Sequence, residues 1–349
     1  MEIGSEFWDA PLSHNNGDFS DENTQFVLSG RTALELVARD LIAERKIRSV
    51  CLPAYCCDSM IFPFEHLNLE IKFYDIQPSE AGVKRIIPKN HGCDAVLLLD
   101  YFGFSQSETT LLAEHEHKHG TAVILDQVQS LYSESDTIQY ADYSTTSWRK
   151  WFFSCAAAAK KLNGDWTVRP SLPGNAEYIH LRNMAAKQKA AYIHKGEGEK
   201  QAFLNKYSQA EVLLDRDYTD YAADPQSMDD VFHLNVPFLK KRRRENAKII
   251  YDVLQTLEDD RIRPLFSHYS ETDTPLFVPV LISPDIRTDL RTYLIQNQVY
   301  CPIHWTDSHT GGGGTLYAQE LSLVCDQRYT IEDMEREMNL IKDYFTLLV

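Results

Sequence analysis

Ala122-Val123-Ile124-Leu125-Asp126-Gln127-Val128-Gln129-Ser130 is the stretch on which the reading of the fold turns. Four apolar residues run without a polar break and stop at an aspartate. Such a run suits a strand covered on both faces, as in a parallel sheet flanked by helices. Ala95-Val96-Leu97-Leu98-Leu99 has the same character and stops at Asp100-Tyr101-Phe102-Gly103, where the glycine permits a close backbone approach. Ser49-Val50-Cys51-Leu52 and Ile71-Lys72-Phe73-Tyr74 are two further strand candidates. Helix-patterned segments lie between, at Thr32–Arg45 and Glu108–His119. Strand, helix, strand at this spacing predicts βαβ units and an α/β fold. Ligands of open α/β sheets bind outside the carboxyl ends of the strands. Asp126 is therefore a candidate site residue, although an aspartate capping the next turn is an equal alternative from the residues alone.

With 349 residues the chain suits two lobes better than one small core. Tyr178–Tyr221 reads as mostly helical. A boundary near Asn235-Val236-Pro237 divides the chain into a large α/β domain with an N-terminal arm, 1–236, and a smaller C-terminal α+β domain, 237–349. In the second, Phe238–Leu257 reads as a long amphipathic helix. Leu276–Ile282 reads as a strand, Arg287–Gln296 as a helix and Val299–Ile303 as a strand. Thr330–Leu348 is the last helix, with Thr330 as N-cap and Asp333 three residues on. Gly311 to Gly314 form the most flexible point.

Charge and cysteine usage exclude several classes. The 35 Lys and Arg against 51 Asp and Glu leave a formal charge of −16, a poor balance for a nucleic-acid binder. The one basic cluster, Lys240 to Arg244, reads as a solvated helix face paired with Glu245 and nearby acids. No apolar stretch approaches the roughly 18 residues of a membrane helix. The acidic start, Met1 to Trp8, has no apolar core of a secretory signal. Seven cysteines, an odd number with no CxxC pair, argue against a disulfide framework and against a structural zinc site, so no metal is expected. A reducing cytoplasm fits best.

Two more features join Asp126. Ser29-Gly30-Arg31-Thr32 opens a strong helical pattern, and a helix N-terminus offers free N–H groups to a phosphate. An ordinary helix cap is the commoner meaning of such a turn taken alone. Ser147-Trp148-Arg149-Lys150-Trp151 sets a lysine between two tryptophans and beside an arginine, surroundings that depress a lysine pKa and favour imine chemistry. Snorkelling Lys and Arg on an amphipathic loop are the alternative. Phosphate cradle, carboxylate and lysine together form the set that pyridoxal phosphate requires.

The chain resembles the DegT/DnrJ/EryC1/StrS family of sugar aminotransferases, over nearly its whole length. The resemblance rests on Ile3–Trp8 (IGSEFW), Ser29–Leu34, Leu52-Pro53-Ala54-Tyr55, Asp126–Gln129, Tyr300–Trp305 (YCPIHW) and Leu321–Tyr329 (LSLVCDQRY). It implies the PLP-dependent transferase fold type I, pyridoxal 5′-phosphate as cofactor, and a homodimer with shared active sites. It also implies transfer of an amino group from an amino acid, glutamate being expected, to a keto-sugar linked to a nucleotide. By the same resemblance Lys150 carries the cofactor and moves the proton, Asp126 pairs with the pyridine nitrogen, and Gln129 contacts the ring hydroxyl. Gly30, Arg31 and Thr32 hold the phosphate, Ser147 lies at the cofactor, and Tyr55 or the position of Cys57 supplies a wall near the ring. His304 and Trp305 contact substrate. A lyase on the same scaffold and a non-catalytic scaffold protein are the alternatives. The second is motivated by Cys155-Ala156-Ala157-Ala158-Ala159, where the family has an acidic residue and two glycines. Alanine there implies an altered loop, and Thr306 after Trp305 is a second departure.

Overall fold

Ala95–Leu99 and Ala122–Asp126 lie side by side and parallel at the centre of an eight-stranded sheet, and every residue of both is buried. The computed structural model describes residues 2–13, 22–305 and 312–348; Met1, Thr306 and Gly311 lie outside them. The strands follow the order Thr24–Val27, Ala157–Lys161, Tyr143–Ser147, Ala122–Asp126, Ala95–Leu99, Ser49–Pro53, Glu70–Ser79, Gly82–Ile86. The five from Tyr143–Ser147 to Glu70–Ser79 are parallel neighbours, and antiparallel strands close both edges.

Four of these strands, Thr24–Val27, Gly82–Ile86, Tyr143–Ser147 and Ala157–Lys161, lie outside the runs that read as strands in the sequence. Tyr143-Ser144-Thr145-Thr146-Ser147 is buried throughout although all five of its residues bear hydroxyls. Ala157–Lys161 corrects the expectation of an altered loop. It is a regular strand, with Ala157 in register with both Val27 and Ser147. None of Cys155 to Ala159 takes a positive φ. Extended backbone suits any residue, and Ala156 and Ala158 pack into a cluster with Trp148, Trp151 and Phe26.

The helix Gly30–Arg45 starts at Ser29, whose Oγ accepts the Thr32 N–H at 3.2 Å. Ala176–Lys195 and Lys200–Arg216 fill the helical middle of the chain and pack on each other. Val236–Thr256 is the long helix, capped by Asn235. Beyond it Ile262–Pro264, Val278–Ile282 and Glu320–Leu323 form a three-stranded antiparallel sheet with the helices Pro284–Gln296 and Ile331–Leu347. Thr330 and Asp333 form a reciprocal cap on the last helix, as their spacing predicted. The strand expected at Val299–Ile303 shrinks to Val299–Tyr300, which pairs in parallel with Ile3–Gly4 of the N-terminal arm. Among the described residues no helix is long and apolar enough to cross a membrane.

Two of the contacts that join the N-terminal part to the C-terminal part bear on the sequence reading. Gly103, at φ +90°, sits so close that a Cβ would lie 2.2 Å from the Thr274 carbonyl oxygen; the close approach anticipated for this glycine is to backbone of the other half. The second contact corrects the reading of the basic cluster as a solvated face. Lys241 and Arg242 do reach Glu245. Arg243 is instead fully buried, over the Trp151 ring, and donates to Gln327 Oε1 and the carbonyls of Pro275 and Leu276. Helical periodicity turns one member of the run inward.

Behind the sheet, buried Asp40 accepts from Lys161 Nζ (2.9 Å), Tyr143 Oη (2.7 Å) and the N–H groups of Thr167 and Val168 (2.7 and 2.9 Å). Asp40→Ala would leave the buried Lys161 ammonium with the half-exposed Glu44 as its one carboxylate, beside the Asp165 carbonyl. It is expected to cost about 3 kcal/mol, measured as a shift of the urea midpoint, with Asp40→Asn costing less because it keeps an acceptor.

Candidate active site

Asp126 ends its strand with the carboxyl buried, accepting a single hydrogen bond among the described residues, from the Val128 N–H at 2.8 Å. Burial pushes the group up to about 6, against that hydrogen bond and the charge of Lys150. The carboxyl faces a cavity of about 100 Å³ also lined by Gly30, Arg31, Cys57, Gln129, Ser147, Lys150 and Trp305. A groove of about 400 Å³ beside Phe104 and Phe266 is larger, but none of the residues predicted for the site lines it.

The helix start supplies the opposite wall. The backbone N–H groups of Gly30 and Arg31 have no partner among the described residues, because the Ser29 cap serves Thr32 and Ala33. A Cβ on Gly30 would stand 3.3 Å from Ser147 Cβ, so glycine lets the helix begin hard against that strand end. Gln129 accepts the Phe102 N–H through Oε1 at 2.7 Å, which leaves its amide NH₂ for the cavity.

Several expectations need correction. Thr32 does not line the cavity: its hydroxyl donates to the Tyr218 carbonyl at 2.8 Å, behind the helix start. The Arg31 guanidinium turns to Asp215 and the Leu214 carbonyl, so this residue offers its N–H to an anion while its charge is already paired. Tyr55 is fully buried behind the wall, packed on Tyr101, Trp305 and Tyr317, and the cavity meets Cys57 and Trp305 instead. Lys150 is exposed rather than desolvated. Trp148 and Trp151 are buried in a cluster with Tyr132 and Phe152. Arg149 holds Glu211 through two nitrogens at 2.7 and 3.2 Å, and its charge is spent there.

Lys150 and Arg149 also line a second cavity, of about 320 Å³. Its walls come from the N-terminal arm (Gly4 to Phe7) and from the C-terminal part, including Arg243, Tyr300, His304 and Arg328. His304 faces this side and Trp305 the first, so the two residues predicted to meet substrate divide between the cavities. His304 is held by Ser322 Oγ at its Nδ1 and by Glu320 at its N–H. Arg328 grips Asp326, donates to the carbonyls of Ser5 and Glu6, and lies 4.0 Å from the Phe7 ring centre. Burial opposes ionisation of Glu6, yet Arg182, Arg149 and Lys150 hold its carboxyl down at about 2. Glu6, Arg243 and Arg328 were not singled out as site residues. They lie inside recognisable motifs, but nothing in their local sequence says that three distant segments close on one lysine.

The donor set can be tested against pyridoxal phosphate. A buried carboxyl at a strand end, unpaired N–H groups at a helix start and a lysine with a free amine share one cavity, and these are the three groups that the ring nitrogen, the phosphate and the aldehyde require. The residues fit.

No family model matches the sequence, and no curated protein matches it. Solved structures do. Helicobacter pylori PseC, an aminotransferase involved in the biosynthesis of pseudoaminic acid, is 13% identical, with a TM-score of 0.66 over 98% of this chain and 100% of its own. DesI, solved in the presence of its TDP-sugar product, is 15% identical, with a TM-score of 0.63 over 91% and 79%. NtdA from Bacillus subtilis, with bound cofactor PMP, is 14% identical, with a TM-score of 0.63 over 92% and 72%. The likeness is one of fold: this chain has the fold type I architecture of the PLP-dependent transferases, a large mostly parallel sheet joined to a smaller C-terminal α+β part.

Proposed function

We propose that this chain is a PLP-dependent aminotransferase that takes an amino group from an amino acid, glutamate being the expected donor, and gives it to a nucleotide-linked keto-sugar. The observation that carries the proposal is the convergence of Asp126, the free N–H groups of Gly30 and Arg31, and Lys150 on one cavity. The sugar acceptor is supported by PseC and DesI and the cofactor by NtdA, through their shared fold. The scaffold alternative rested on the alanine run, which is an ordinary strand here.

Each residue has a physical task. Gly30 and Arg31 hold the phosphate by their N–H groups at the positive end of the helix. Asp126 faces the pyridine nitrogen and keeps it protonated; a buried carboxylate gains from a cation beside it. Gln129 would offer its amide to the ring hydroxyl, and Ser147, Cys57 and Trp305 would supply the remaining walls of the cofactor cavity. When bound, pyridoxal phosphate supplies an electron sink for the charge left at the donor's Cα. Lys150 Nζ would hold the cofactor through its aldehyde and would be the base in reach of the donor's Cα proton. Its position between the two cavities, one with the cofactor groups and one open toward His304 and Arg328, suits that role. The active assembly in this reading is a homodimer working in the cytoplasm.

Absorbance tests the lysine. Wild type with pyridoxal phosphate is expected to show the visible band of the lysine-attached cofactor, and glutamate to convert it to the pyridoxamine spectrum. Lys150→Ala should lose both; a band unchanged in that variant would sink the assignment. Acidity tests Asp126. Its group ionises around pH 6, so the carboxylate partner of the ring nitrogen is present above that pH and lost below it. Cofactor affinity should fall as pH drops through about 6 in wild type. Asp126→Asn should bind more weakly at neutral pH and lose that part of the pH dependence, read by fluorescence titration.

A further inference from the structure

Cys51, His91 and Cys93 lie far from the proposed active site. Cys51 is inside the strand Ser49–Pro53, and Cys93 stands just before Ala95–Leu99, toward the amino ends of the central strands. Asp126 and Lys150 belong to the opposite end of the sheet. One ligand atom from each of the three residues lies within 4.8 Å of the other two. Cys51 and Cys93 are buried, as are the side chains of His91 and Glu116.

We propose that Cys51 Sγ, Cys93 Sγ and His91 Nδ1 form a site for a thiophilic divalent cation of the zinc type. Two thiolates and an imidazole are the donors such an ion prefers, with a fourth, tetrahedral position left for water. Ring orientation supports Nδ1 as the ligand. Glu116 Oε2 stands 3.0 Å from His91 Nε2 and accepts a hydrogen bond from that N–H. This puts the lone pair on Nδ1, the side that meets Cys93, where it accepts the Cys93 N–H at 3.1 Å; ligation would replace that hydrogen bond. A carboxylate behind a ligating histidine is the arrangement that fixes tautomer and ring angle in metal sites. Charge also closes at the ion, which two thiolates neutralise, and Lys72, paired with Glu70, fixes the loop by donating its ammonium to the His91 carbonyl at 3.0 Å. Binding releases two thiol protons to solvent and ties the 87–94 loop to the sheet. The sequence alone argued against zinc because its seven cysteines show no CxxC pair; neighbouring parallel strands bring Cys51 and Cys93 together across 42 positions.

The test uses the full chain, reduced and freed of metal, titrated with Co²⁺ and then with Zn²⁺. One Co²⁺ per chain is expected, with thiolate charge-transfer and tetrahedral d–d absorption that Zn²⁺ displaces. Zinc should raise the melting temperature above that of the chelator-treated protein. Cys93→Ser and His91→Ala, both in a loop, should abolish the absorption while keeping the far-UV circular dichroism of wild type. Glu116→Gln should weaken binding roughly 10–100-fold. Absence of a saturable signal, an undiminished signal in Cys93→Ser, or a Cys51–Cys93 disulfide as the resting state of freshly isolated protein would overturn the proposal.

Discussion

A carboxyl group driven into an apolar interior is the constraint around which this molecule is arranged. The strand that ends in Asp126 is buried because its neighbours and the helices on both faces cover it, and the carboxyl is buried with it. One backbone N–H and the distant charge of Lys150 do not offset that desolvation, so the group is poised near pH 6. Ionisation of such a carboxyl is favoured when a cation stands beside it.

The second cavity follows from a different economy. The N-terminal arm adds a two-residue strand to Val299–Tyr300 and is gripped by Arg328, Arg182 and Lys189. These contacts bring Glu6 and Phe7 to the same side of Lys150 as Arg243 and His304. The lysine is reached from both cavities because it follows a strand end and lies in a short turn, not in the helix or the sheet.

Burial of the aromatic residues separates roles that their spacing suggested were joined. Trp148 and Trp151 flank Lys150 in sequence but stabilise the interior, and Tyr55 supports the wall that Trp305 presents. Small residues do the reverse: the alanines after Lys150 let three strands lie flat together, and Gly103 lets two halves of the chain touch.

The residues alone determined the alternation of apolar runs and helices, the α/β class, the capped helices at Ser29 and Thr330, and the candidacy of Asp126 and Lys150. These are local properties: unbroken hydrophobicity marks a strand covered on both faces, and a hydroxyl before a helical pattern marks its start. The hydroxyl-rich strand Tyr143–Ser147 and the alanine strand Ala157–Lys161 escaped because their burial comes from neighbours and not from their own polarity. Which hydroxyl or aromatic ring faces the cavity, which arginine of the basic run turns inward, and the meeting of Cys51 with His91 and Cys93 were decided only by the tertiary structure. Each depends on segments far apart in the chain, and a side chain's partner is set by packing that no local spacing encodes.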